Sequence, residues 1–107
     1  MEQPNLLYIE QLARGEQDVR KALIDVIKSE FPEEKEIYYK SLQKKDFEEI
    51  KGNVHRIKHK FSILGLEKSY NLANEYEKNL VDGYLDANQV KDFEAILAVI
   101  SKYIKTI

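Results

Sequence analysis

Apolar residues recur through residues 46–66 at helical intervals: Phe47, Ile50, Val54, Ile57, Phe61 and Leu64 step by three, four, three, four and three. That spacing lays them on one stripe of an α-helix, and such a stripe must be buried. At about 100° of rotation per residue, His55 and His59 point well away from the stripe, near Gly52 and Ile63. Lys58 falls at the boundary between the buried and exposed faces. Asp46 can cap the free amides at the start, with Glu49 three residues on completing a capping-box-like pair, and Gly65 can end the helix in the left-handed conformation.

The same periodicity divides the rest of the chain. Residues 5–13 read as a short first helix with Asn5 as N-cap and Gly15 as its stop. It is too short to stand alone, so Leu6, Ile9 and Leu12 or Ala13 must dock on something. Residues 16–43 form a second helical stretch with Val19, Leu23, Val26, Ile27, Phe31, Tyr38 and Leu42 inward. Pro32 in its middle leaves a choice between a kink and a break, and Glu33-Glu34-Lys35-Glu36 is suited to restarting a helix. Residues 67–82 bury Leu66, Tyr70, Ala73 and Leu80 and stop at Gly83. The last helix begins at Asp86 or Ala87 and carries Val90, Phe93, Leu97, Ile100 and Ile104, widened by Ile96 and Tyr103. Strict alternation is hard to find in any window. The fold class is therefore all-α, an antiparallel up-and-down four-helix bundle with a short N-terminal helix. Tyr38, Tyr39, Tyr70 and Tyr76 are expected as core or boundary aromatics with wet hydroxyls.

Composition narrows the function. The 107 residues make a single domain, 1–107, too small for a kinase with its own nucleotide pocket. With 17 basic and 19 acidic residues and a net charge of -2, nothing favours nucleic acid as a partner. The absence of cysteine excludes disulfides, thiolate zinc sites and cysteine nucleophiles, and fits a reducing compartment. No apolar run approaches membrane-spanning length and the opening residues lack the pattern of a signal peptide, so the expectation is a soluble cytoplasmic monomer without membrane association.

His55-Arg56-Ile57-Lys58, followed by Leu64-Gly65-Leu66, resembles the signature of histidine-containing phosphotransfer (HPt) domains of two-component phosphorelays. That pattern runs approximately H-x-[LI]-K-G, then small residues, then L-G-[AL]. His55, Ile57, Lys58, Leu64, Gly65 and Leu66 match it; His59 stands where the family usually has glycine, and Lys60 where a small residue is usual. The resemblance favours one long kinked helix over residues 16–43. It implies a phosphocarrier without autonomous kinase activity, needing no cofactor of its own, with magnesium held by a partner receiver domain. Response-regulator receivers, and a hybrid sensor kinase, are the implied partners.

The residues fit that chemistry. Transfer from an aspartyl phosphate asks for a neutral imidazole nitrogen open to in-line attack and for positive charge near the transferring oxygens. His55 is the candidate phosphoryl acceptor, and Lys58, one turn ahead, is the candidate for stabilising the phosphoryl group. Gly52, Arg56, His59, Ser62 and Ile63 are the candidate partner-binding residues. Gly52 is either a gap that admits a partner's backbone or a tolerated surface glycine, and His59 narrows the receivers that fit. Two other classes stay open. His55 and His59, four residues apart, could grip a metal ion but lack a visible third ligand. A plain interaction bundle would use an exposed Ile63 for docking.

Overall fold

The computed structural model describes residues 2–107. Five helices follow one another: α1 (Leu7–Ala13), α2 (Gln17–Lys44), α3 (Phe47–Ile63), α4 (Glu67–Val81) and α5 (Ala87–Tyr103), with no strand among the described residues. None of these helices is long and apolar enough to cross a membrane. Asp46 Oδ1 accepts the Glu49 amide at the start of α3, and Asp86 Oδ1 accepts those of Asn88 and Gln89 at the start of α5. These are the caps that free helical amides require. Pro32 does not interrupt α2, which runs as one 28-residue helix. Both the proline and Lys28, whose carbonyl loses its donor, are exposed, so water can satisfy the orphaned oxygen.

The core stripe of α3 is as the periodicity requires, with Ile50, Val54, Ile57, Phe61 and Leu64 fully buried and Phe47 partly so. Along α2 the inward line runs instead through Ile24, Ile27, Phe31, Tyr38 and Ser41. Val19 and Val26, expected inside, are exposed, because they lie roughly a quarter turn off that line. On α1, Ile9 and Ala13 are buried while Leu12 faces out. α3 lies between α2 and α4 and packs most extensively on α4.

Phe93 of α5 is the meeting point of the core. Its ring centroid stands 4.9 Å from that of Tyr38 on α2, and 5.4 Å from those of Phe61 on α3 and Tyr76 on α4. Tyr38 and Tyr76 correct the expectation of wet hydroxyls. Both side chains are fully buried, and their hydroxyls bond each other at 2.8 Å. Burial, reinforced by the neighbouring Tyr76 hydroxyl, pushes the Tyr38 phenol well above the usual range.

The residues before α1 are fastened to the turn between α3 and α4. Asn5 donates its amide to the Leu64 carbonyl at 2.9 Å, and its Oδ1 accepts the Leu7 amide at 3.0 Å. Gly65 adopts φ of +76°, and a Cβ there would come within 2.6 Å of Asn5 Nδ2, so both backbone conformation and space demand glycine. The Glu2 carboxylate accepts the amides of Lys68 and Ser69 at 3.0 and 2.8 Å, capping α4 from outside its own sequence. Burial works against that charge, but the amides and the Ser69 hydroxyl outweigh it and hold the Glu2 carboxyl below its ordinary value.

Two consequences are measurable by denaturant unfolding. Tyr76→Phe strands the Tyr38 hydroxyl and is expected to cost about 1–3 kcal/mol, whereas Tyr38→Phe/Tyr76→Phe together should cost clearly less than the sum of the single changes. Strict additivity would show that the two hydroxyls do not depend on each other. Glu2→Gln should destabilise the protein at neutral pH. A carboxyl whose folded value is lowered contributes fully above its unfolded value and loses that contribution as pH falls through the folded one, so the difference from wild type should shrink through the acid range. A difference independent of pH would rule out this capping role.

Candidate functional site

The face of α3 opposite its core stripe meets α4 along a groove whose walls include Gly52, His55, Lys58, Asn74, Glu77 and Val81. His55 stands in it with 59% of its side chain exposed. Its Nδ1 lies 2.8 Å from Oε1 of Glu77, and the other carboxylate oxygen, Oε2, accepts a bond of 2.6 Å from Lys58 Nζ. Lys58 Nζ also donates to Asn74 Oδ1 at 2.8 Å and sits 5.4 Å from the centroid of the Tyr70 ring.

This geometry assigns the tautomer. A carboxylate paired with a lysine can only accept, so Nδ1 of His55 carries a hydrogen, and in the neutral ring the lone pair is on Nε2, at the far end. The arrangement is an exposed imidazole held by an orienting carboxylate, which is in turn held by a cation, and such a set can serve a nucleophilic nitrogen. Lys58 is buried, with 8% exposure, rather than lying at the boundary. Its ammonium is met on α4 by Glu77 and Asn74, and the Glu77 charge compensates the desolvation that burial imposes.

The remaining sequence-predicted residues divide among four places. Gly52 and His59 stay beside His55. Gly52 is exposed in the groove wall, and the His59 ring stands edge to face with that of His55, centroids 5.1 Å apart. Arg56 is exposed on the α2 side, where its Nη1 donates to Asn53 Oδ1 at 2.9 Å. Ser62 is exposed at a separate hollow near Asn5 and Tyr8. Ile63 is not the exposed docking residue expected for it. As the last residue of α3 it is partly buried against the core. Lys60 points away from the groove, buried, with Nζ 2.8 Å from Glu30 Oε1 and 3.3 Å from Glu34 Oε1 on α2. The His55/His59 pair gains no third ligand, since no three His, Cys, Asp or Glu side chains among the described residues form a group able to hold a metal ion.

Sequence reasoning missed Asn74 and Glu77. Tyr70, Asn74 and Glu77 repeat at intervals of four and three, forming a semi-polar stripe beside the buried line of Ala73, Tyr76 and Leu80. The stripe was legible, but its register against His55 was not.

At Gly52 an added Cβ would meet no atom within 4 Å, so nothing inside this chain requires glycine in mid-helix. Gly52→Ala is therefore expected to stabilise the fold by about 0.5–1 kcal/mol, as helix propensity dictates. Chemical denaturation checks it, and a loss of stability would mean that the backbone there needs glycine after all. Searches against protein-family models, curated proteins and solved structures return no match for this chain.

Proposed function

We propose that the chain is a histidine phosphotransfer domain, in which α2 to α5 form an antiparallel up-and-down four-helix bundle and α1 is the short N-terminal helix. His55 accepts a phosphoryl group from the aspartyl phosphate of a receiver domain and passes it to another receiver. The observation that carries this reading is the clamp of Glu77 on Nδ1 of the exposed His55 side chain, which in the neutral ring leaves Nε2 as the single nucleophilic nitrogen.

In the transfer, the Nε2 lone pair attacks phosphorus in line with the departing aspartate oxygen. The N–P bond forms, the O–P bond breaks, and its electron pair leaves on the aspartate carboxylate. No proton has to move, because Nδ1 keeps its hydrogen. The ring becomes a phosphorylated imidazolium whose new positive charge faces Glu77, a carboxylate already in place. Return of the phosphoryl group to a second receiver reverses these steps. Lys58 then has a different part from the one its sequence position suggests. It acts as a positioning residue, holding Glu77 rather than the phosphoryl oxygens. The metal that activates the aspartyl phosphate belongs to the receiver, as do the acidic residues that would bind it. Such a carrier works as a cytoplasmic monomer, needs no cofactor of its own, and has no kinase activity. A receiver is the partner of either side of the exchange, including one within a hybrid sensor kinase, and neither nucleic acid nor membrane takes part.

The test is incubation with receivers charged by a small-molecule phosphodonor, followed by intact-chain mass spectrometry. Wild type should gain one acid-labile phosphate, and His55→Gln should gain none while keeping its helicity, since the replaced side chain is exposed. Glu77→Gln should slow transfer on the order of tenfold or more by removing the charge that faces the imidazolium. Undiminished labelling of His55→Gln would reject the assignment.

A further inference from the structure

The phosphoryl acceptor needs a partner for the oxygens it receives, and the buried lysine does not supply one. Lys58 Nζ is committed to Glu77 and Asn74 and lies on the Nδ1 side of the His55 ring. Lys51, one turn before His55, is engaged with Glu48 at 3.2 Å, and Arg56 with Asn53 on the α2 side. His59 is differently placed. Side chains on a helix lean toward its N-terminus, which brings a residue four positions on back over the turn of His55. The exposed His59 ring meets that of His55 at 5.1 Å and 89°. Among the described residues no hydrogen bond or ion pair engages His59, so its ring N–H is free to donate.

We propose that His59 holds the oxygens of the transferred phosphoryl group: once Nε2 of His55 is phosphorylated, a ring N–H of His59 donates to a phosphoryl oxygen. This rests on the phosphotransfer reading and extends it to a position where the HPt pattern has glycine, which has no side-chain donor. The consequence is kinetic. Loss of the phosphoryl group passes through a loose, metaphosphate-like transition state, in which its oxygens carry less negative charge than in phosphohistidine. A donor on those oxygens therefore favours the phosphorylated protein over the transition state and lengthens its life. The site becomes one that stores a phosphoryl group as well as relaying it.

The experiment loads the full chain with phosphoramidate, which places phosphate on imidazole with release of ammonia and needs no receiver, and follows hydrolysis by phosphorus NMR. His59→Leu removes the donor while keeping bulk, and His59→Gln restores an N–H. The phosphohistidine lifetime should fall about tenfold in His59→Leu, the scale of one hydrogen bond to a charged oxygen, and recover most of the way in His59→Gln. In nitrogen-edited proton spectra the His59 ring N–H should become visible and protected from exchange only after phosphorylation. Lys78→Met tests the remaining exposed cation of the groove and should leave the lifetime unchanged. Equal lifetimes in wild type and His59→Leu, or a shortened lifetime in Lys78→Met alone, overturn the assignment and leave the role of His55 standing. If neither phosphoramidate nor a charged receiver labels His55, the phosphotransfer reading falls and this inference falls with it.

Discussion

The hydrogen bond between the buried hydroxyls of Tyr38 and Tyr76 is the constraint on which the site depends. Neither hydroxyl has access to water, so each needs the other, and an unmet buried hydroxyl costs more than a made bond returns. Tyr76 must therefore face α2 and Phe93, and that requirement sets the rotation of α4 about its own axis. Glu77, the next residue, lies about 100° further round and is turned toward α3. Asn74, three residues back, shares that shoulder of the helix. The orientation of the carboxylate that holds His55 thus follows from a tyrosine pair that takes no part in any chemistry.

α3 is joined to its two neighbours by buried lysines that point in opposite directions. Lys58 reaches Glu77 and Asn74 on α4, and Lys60, two residues on and roughly 200° round the helix, reaches Glu30 and Glu34 on α2. Burial pushes the Glu34 carboxyl above its ordinary value, and Lys60 pulls against that shift. Buried pairs of this kind contribute little net stability against apolar replacements, but losing one partner is costly, so they discriminate strongly between registers. Lys60 thus has a structural cause at a position where the HPt pattern prefers a small residue. The two lysines of one helix also differ in consequence: Lys60 ties α3 to α2, whereas Lys58 fixes the carboxylate that holds the His55 imidazole.

The other end of α3 follows the same logic with backbone groups. The positive φ of Gly65 and the Asn5 amide packed against it hold the segment before α1 on the turn, and that segment delivers Glu2 to the bare N-terminus of α4. Leu66, at the cap position, has no side-chain acceptor to offer. Gly65 therefore serves the seating of the N-terminal segment on α4.

What the sequence by itself determined was whatever depends on residues close along the chain. The α3 stripe, the Asp46 cap, the exposure of His55 and the all-helical class all follow from 3.6-residue periodicity and local capping chemistry, which neighbours in sequence control. Tertiary structure decided what depends on the rotation and register of one helix against another. Val19 and Val26 face out because the inward line of α2 is set by its contacts in space, and Ile63 is partly buried for the same reason. The pairing of Glu77 with His55 and Lys58 joins residues 22 and 19 positions apart, and no local pattern specifies it. A helix carries polar residues on its shoulders whether or not they meet anything. Which of them lands on the imidazole is settled by the packing of the apolar residues beside them, here Tyr76 against Tyr38 and Phe93.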